Sequence, residues 1–271
     1  MDKQTSANQA HWNELVAINA RSEFYSLEKF KAGGCALHNL ELEELGPVAG
    51  RTLLHLQCHF GLDSLSWARL GASVTGVDFS EEGIRLARQL SQECAIPAEF
   101  IETNLYDLPE RLQGQFDIVF TSYGALTWLS DLPRWARIVT HFLKPGGVFY
   151  MAEIHPFSMV FDDTTDDQPL RVGYSYFDTA AIKCEVQGSY ADRSAAVNQK
   201  VCYQWNYPLG QVVSALIEAG LQLEFLHEFP YTVFQQYPFL EQGQDGYFRL
   251  PGGKELVPLL FSLKGKKIDN R

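Results

Sequence analysis

Long apolar runs are missing from this 271-residue chain. No stretch approaches the roughly 18–20 consecutive apolar residues that cross a bilayer, so no membrane contact is expected. The opening MDKQTSANQAHWNEL lacks the apolar core of a secretory signal, and the expected location is the cytoplasm. The cysteines at 35, 58, 94, 184 and 202 are odd in number and none stands in CxxC spacing. That argues against a disulfide framework and suits thiols in a reducing compartment. Positive charge is scarce: 22 Lys and Arg face 33 Asp and Glu, for a net charge of −11. Nucleic acid would have to be held against that field, so the expected partner is a small molecule and not DNA or RNA. The basic cluster Lys264-Gly265-Lys266-Lys267 reads as a solvated tail after a last strand.

What is present is a strand–helix alternation. With 46% hydrophobic residues, the chain can bury one sizeable core. Short strands are predicted over 52–56, 73–77, 98–101, 116–121 and 148–153, with helices over 62–70, 81–92 and 132–143 between them. FDIVFT at 116–121 is almost wholly apolar, as suits a strand covered on both faces of a parallel sheet. Residues 156–205 break the rhythm with an acidic loop at 162–169 and aromatic runs, and read as an inserted antiparallel cap. A helix over 210–219 and strands over 222–228 and 257–263 follow. The expected fold class is α/β, a doubly wound, mostly parallel sheet with helices on both faces, in a single domain. Its parts are an N-terminal helical lid (1–48), a core (49–155 and 206–265) and a substrate cap (156–205).

Glycine is missing from the place where a nucleotide loop would need it. After the first strand, Gln57-Cys58-His59-Phe60-Gly61 keeps one glycine, Gly61, at the start of a helix that carries Asp63. In an open parallel sheet, ligands bind beyond the C-terminal strand ends near the switch in strand order. Asp78 ends the second strand and can accept both ribose hydroxyls of an adenosine group. Phe79 can lie against the adenine, Ser80 caps the next helix, and Asn104 after the third strand can meet the exocyclic amine. A zinc site from His55, Cys58 and His59 is not expected: the ligands crowd into one turn, with no second CxxC or HxxxH. A dinucleotide is disfavoured because its pyrophosphate needs the missing glycines.

The series HLQCHFG (55–61), VTGVDFS (74–80), IETNLYDLP (101–109), FDIVFTSYGALTWLSD (116–131) and FLKPGGVFYMAE (142–153) resembles the class I S-adenosylmethionine-dependent methyltransferases. It is most similar to small-molecule enzymes whose first loop reads Gln-Cys-His-Phe-Gly. The resemblance covers about residues 50–155 and departs at the loop, where His55 replaces an acid and Gln57 and His59 replace glycines. Those replacements imply either ordinary φ at the two positions or side chains lining the pocket. The resemblance implies a Rossmann-like sheet of seven strands with the last one antiparallel, and S-adenosyl-L-methionine as cofactor. Its implied binding residues are Tyr25, Gln57, Cys58, His59, Gly61, Asp63, Asp78, Phe79, Ser80, Asn104, Leu105, Tyr106, Thr121 and Ser122, with no metal. It leaves a homodimer open.

Methyl transfer needs alignment and dryness, and a base only where the acceptor must lose a proton early. His155 is the candidate base and Tyr123 the orienting residue, at the ends of strands five and four. Trp128, Leu132 and Trp135 read as core packing, while Tyr174, Tyr176, Tyr190, Tyr203 and Trp205 read as an aromatic lid or a small-sheet core. Trp12, Phe24, Tyr25 and the Gly33-Gly34 break are expected to close over the cofactor. A non-catalytic binder of the same ligand and an NAD-dependent oxidoreductase are the alternatives.

Overall fold

A computed structural model of the chain describes residues 2–162 and 170–268. The acidic loop expected at 162–169 lies almost wholly outside the described residues. Three helices come first: α1 (Lys3–Asn19), α2 (Leu27–Lys31) and α3 (Asn39–Leu45). Asp2 caps α1 by accepting the Gln4 and Thr5 N–H groups at 2.9 and 2.8 Å. The core then runs β1 (Thr52–Leu56), α4 (Leu62–Arg69), β2 (Ser73–Asp78), α5 (Glu81–Glu93), β3 (Glu99–Glu102), α6 (Leu108–Arg111), β4 (Phe116–Thr121), α7 (Leu132–Phe142) and β5 (Leu143–Ile154). It continues with β6 (Ile182–Glu185), β7 (Val201–Gln204), α8 (Leu209–Glu218), β8 (Leu221–Phe229), β9 (Tyr231–Thr232), β10 (Glu241–Gln242), β11 (Phe248–Arg249) and β12 (Leu260–Lys267).

Seven strands form the central sheet in the order β3-β2-β1-β4-β5-β12-β8. The five strands from β3 to β5 are parallel, and β12 runs antiparallel between β5 and β8. This is the expected doubly wound sheet. Side chains alternate across it as a period of two requires. Val119, Phe149 and Met151 pack with Trp135, Phe142 and Leu216 on one face, and Ile118, Phe120 and Tyr150 pack with Trp67 and Leu53 on the other. Ser80 and Asp131 cap α5 and α7, accepting from Gly83 N and Arg134 N at 3.0 and 2.9 Å. The reversal of strand order falls between β1 and β4, which puts the switch point at the end of β1.

The basic cluster is not a solvated tail. Residues 264–267 are strand β12, where Lys266 pairs with Glu224 at 2.8 Å. Lys267 Nζ donates to the carbonyls of Thr140 and Leu143 at the end of α7, at 2.7 and 2.8 Å, which sets a cation against a helix C-terminus.

The expected antiparallel cap is a two-stranded ribbon, β6–β7, with flanking loops. Helix α1 holds it: His11 and Glu14 bond the flanking residues Asn198 and Gln199, and Asn8 bonds the strand itself. Asn8 Nδ2 donates to the Tyr203 carbonyl at 2.8 Å and Asn8 Oδ1 accepts the Tyr203 N–H at 2.7 Å, so its amide pairs with the strand as a backbone peptide would. A further three-stranded sheet, β10-β11-β9, was not legible in the sequence. Its strands are two residues each, and the run from Tyr231 to Phe234 was the one β-rich signal for it.

Candidate active site

A cavity of about 1070 Å³ opens over the C-terminal ends of the parallel strands. The first loop forms its floor. Both Gln57 (φ 57°) and His59 (φ 52°) adopt the left-handed conformation that glycine would take there, so the replacements did not relax the backbone. Each costs of order 1–3 kcal/mol unless its side chain repays it. Gln57 Nε2 donates to the Ala125 carbonyl at 2.9 Å, tying the loop to the segment after β4. His59 accepts from Asn19 Nδ2 at 3.1 Å and packs its ring among Trp12, Tyr25 and Phe60. Burial holds the His59 imidazole down to about 3, so it is neutral and accepts. Gly61 (φ 79°) is irreplaceable on space as well, because a Cβ would stand 2.7 Å from the Phe100 ring.

Asp78 meets this loop from the end of β2. Its Oδ2 accepts the His59 N–H and its Oδ1 the Ser80 N–H, both at 2.8 Å. Burial pushes the carboxyl up to about 6 against these two bonds. Asp63, in the first turn of α4, is also raised to about 6 by burial, with a hydrogen bond from Ser122 opposing. Both acids line the cavity. His55 takes no part in a metal cluster: Nδ1 meets Ser64 Oγ at 2.8 Å and Nε2 meets Ser122 Oγ at 3.2 Å. Asn104 Oδ1 accepts the Tyr106 N–H at 2.9 Å, which fixes the side chain at the cavity wall.

Glu153, at the end of β5, organises the opposite wall. Its carboxylate accepts four backbone N–H groups: Gly124 and Ile154 at 2.5 and 2.6 Å, and Ala125 and Leu126 at 2.8 and 3.0 Å. Burial raises it to about 7, while these four donors favour the charged form. It fixes the loop after β4 as Asp78 fixes the loop after β1.

Of the expected residues, the structure gathers Tyr25, Gln57, Cys58, His59, Gly61, Asp63, Asp78, Phe79, Asn104, Leu105, Tyr106, Ser122 and Tyr123 around this one cavity. Ser80 and Thr121 are buried but not on its wall. Ser80 Oγ is instead spent on Asn13 at 2.7 Å and on capping α5. His155 is not on the wall either. Its Nδ1 accepts the Phe157 N–H at 3.0 Å and its Nε2 bonds Glu228 at 2.9 Å, which makes it a turn-holding histidine against β8. Trp128 lines the cavity, edge-on to Trp12 at 5.1 Å, and so differs from the core-packed Leu132 and Trp135. Of the aromatic lid only Tyr190 and Trp205 reach the wall, with the Tyr190 hydroxyl bonded to that of Tyr25. Trp12, Phe24 and Gly34 are on it as well. Sequence reasoning missed His38 and the residues Val233, Phe234, Gln235, Gln242 and Phe248, which wall the remainder.

Among the described residues no cluster of His, Cys, Asp and Glu could hold a metal ion, and no helix is long and apolar enough to cross a membrane. Residues 53–147 match the family described as "Methyltransferase domain". The ubiquinone biosynthesis O-methyltransferase of Pseudomonas paraeruginosa is 31% identical over 114 residues, which are 42% of this chain and 49% of that protein. The enzyme of that name from Bordetella avium is 29% identical over 167 residues, 58% of this chain and 66% of the other. The chain thus spans about half to two thirds of the length of these curated relatives. Among solved structures, an S-adenosylmethionine-dependent methyltransferase from Mesorhizobium loti superposes with a TM-score of 0.58 at 21% identity, covering 84% of this chain and 96% of the other. One from Clostridium acetobutylicum gives 0.58 at 11%, covering 95% and 96%. The segment that carries the strand-end residues is therefore similar to a methyltransferase domain, and the fold around it is that of the class I S-adenosylmethionine-dependent methyltransferases.

Proposed function

We propose that the protein is a cytoplasmic enzyme that transfers a methyl group from S-adenosylmethionine to a small-molecule acceptor. The observation that carries this reading is a pair of carboxylates, the half-buried Asp63 and the buried Asp78, on the cavity wall beside a loop without a phosphate cradle. A pyrophosphate would be repelled there and would meet the His59 ring in place of bare amides. A cation is favoured by the same groups, which are raised by burial and gain from a positive neighbour. Gln57 Oε1, buried on this wall with no partner among the described residues, is an acceptor left over for a ligand N–H. Asp78 would take the ribose hydroxyls, with Phe79 and Asn104 beside the adenine. When bound, S-adenosylmethionine supplies a methyl group on a positively charged sulfur.

The chain's own part is to align the acceptor and keep water out. Trp12, Tyr25 and Tyr190 over the first loop supply the cover. The names of the relatives favour oxygen as the accepting atom. A thermal-shift comparison tests the reading. S-adenosylmethionine and S-adenosylhomocysteine at 100 times Kd should each add about 2.7 kcal/mol of apparent stability, and NAD none. No shift with either sulfur compound would sink it. Formation of S-adenosylhomocysteine from S-adenosylmethionine with a metabolite panel separates an enzyme from a binder.

A further inference from the structure

Behind one end of the cavity wall lies a buried acid that reaches the cavity through Tyr123. Glu41 lies in α3, outside residues 53–147, and is 1% exposed. Its Oε2 accepts the Tyr123 O–H at 2.6 Å and its Oε1 accepts the His38 N–H at 2.9 Å. Tyr123 follows β4, lines the cavity and meets the His38 ring edge-on at 5.5 Å. Ile154, Met159, Val233 and Phe234 belong to the same apolar cluster as Tyr123 and line the same cavity. A carboxylate in such surroundings is costly, and among the described residues no Lys or Arg pairs with it. Sites that need a base accept that cost.

We propose that Tyr123 is a catalytic residue that receives the acceptor's proton, and that Glu41 is the positioning residue that orients the Tyr123 hydroxyl and stores that proton. The proposal rests on the methyltransferase reading. Because the Tyr123 O–H points at Glu41, the tyrosine oxygen offers its lone pairs to an O–H in the cavity. In the transfer, the acceptor's bond to methyl forms as its bond to hydrogen breaks, and the pair that held the methyl stays on the donor's sulfur. The acceptor's proton passes to Tyr123 Oη, and the proton of Tyr123 passes to Glu41 Oε2. The carboxylate loses its charge as the sulfonium loses its own, so no net charge is left in the lobe.

Burial raises Glu41 to about 8 and holds His38 down to about 4, so the imidazole adds no charge near neutrality. The other titratable groups that face the pair are Asp63, Tyr150 and Tyr247, with Glu44 behind Tyr150 and Asp245 and Glu43 behind Tyr247.

The test is binding, not turnover. Benzyl alcohol and benzyl methyl ether are titrated into the full chain saturated with S-adenosylhomocysteine, and neither probe ionises in the working range. Wild type should prefer the alcohol by about tenfold, the worth of one hydrogen bond, with the preference growing as pH rises through about 8. Tyr123→Phe should abolish the preference. Glu41→Gln should flatten its pH dependence, and Glu41→Asp should restore part of it. A preference unchanged in Tyr123→Phe, a pH-independent preference in wild type, or no saturable binding of either probe overturns the proposal. Failure of S-adenosylhomocysteine itself to bind is read separately by thermal shift, and refutes the methyltransferase reading instead.

Discussion

The two ends of the cavity are built on different plans. The proposed cofactor end is assembled from strand-end loops that follow one another along 57–106, each locked by a carboxylate or amide at the strand terminus. The proposed acceptor end draws on His38, Tyr123, Ile154, Met159 and Val233, with Glu41 behind Tyr123, and these meet only in the folded chain. The first plan fixes a common ligand with local geometry. The second leaves the shape of the acceptor pocket to peripheral elements, so the chemistry at one end is independent of selectivity at the other.

Glu153 stands between the two ends, and the largest effect is expected there. Glu153→Gln would face some of its four backbone donors with an amide N–H₂. Unmet buried groups cost about 1–3 kcal/mol each, so a loss of about 4 kcal/mol is expected in denaturant unfolding. Both S-adenosylhomocysteine binding and alcohol preference should weaken together. An undiminished midpoint would show that the nest is idle.

Asp78→Ala should touch the cofactor end alone. It removes the proposed ribose acceptor and leaves the His59 and Ser80 amides without that partner, and about a hundredfold loss of S-adenosylhomocysteine affinity by calorimetry is expected. In the wild type, Asp63 and Asp78 are raised carboxyls that carry charge above about 6. Affinity for the cationic S-adenosylmethionine should therefore rise as pH rises through about 6, relative to S-adenosylhomocysteine, which lacks the sulfonium charge. A constant ratio would contradict the assignment of these acids.

The smallest effect should come from Gln57→Gly. Relief of its positive φ, about 1 kcal/mol, offsets the lost bond to Ala125, and the melting temperature should hardly move. His59→Gly relieves the same strain but gives up the contacts with Asn19, Trp12 and Tyr25, and should lower stability by about 1 kcal/mol. Equal behaviour of the two would remove the distinction between a tolerated replacement and one that helps to build the lid.

The same contrast explains what could be read from sequence. Asp78, Gly61 and the FDIV strand announce themselves because strand ends and helix caps are local, and a period of two or 3.6 suffices to place them. Whether Gln57 and His59 kept the glycine φ was not legible, since that depends on the partners that repay the strain, Ala125 and Asn19, far away in the chain. His155 follows a strand end and precedes a proline, as a base near a pocket could, yet its ring turns to Glu228 across the sheet. Glu41 looked like one acid among several in NLELEEL, and only burial against Tyr123 sets it apart. The sheet of β9, β10 and β11 escaped because two-residue strands carry no periodicity.

The Asn8 amide that pairs with Tyr203 has a consequence for how the protein comes into being. Its partner lies 195 positions later, so this pairing can form only after β7 has been made, although α1 already has Phe79 and Ser80 to settle on. Until then β7 exposes peptide groups on which another chain could dock as an extra strand. Asn8 is the α1 side chain that covers the β7 peptide groups, and Asn8→Ala would leave them open, with aggregation in refolding as the visible sign.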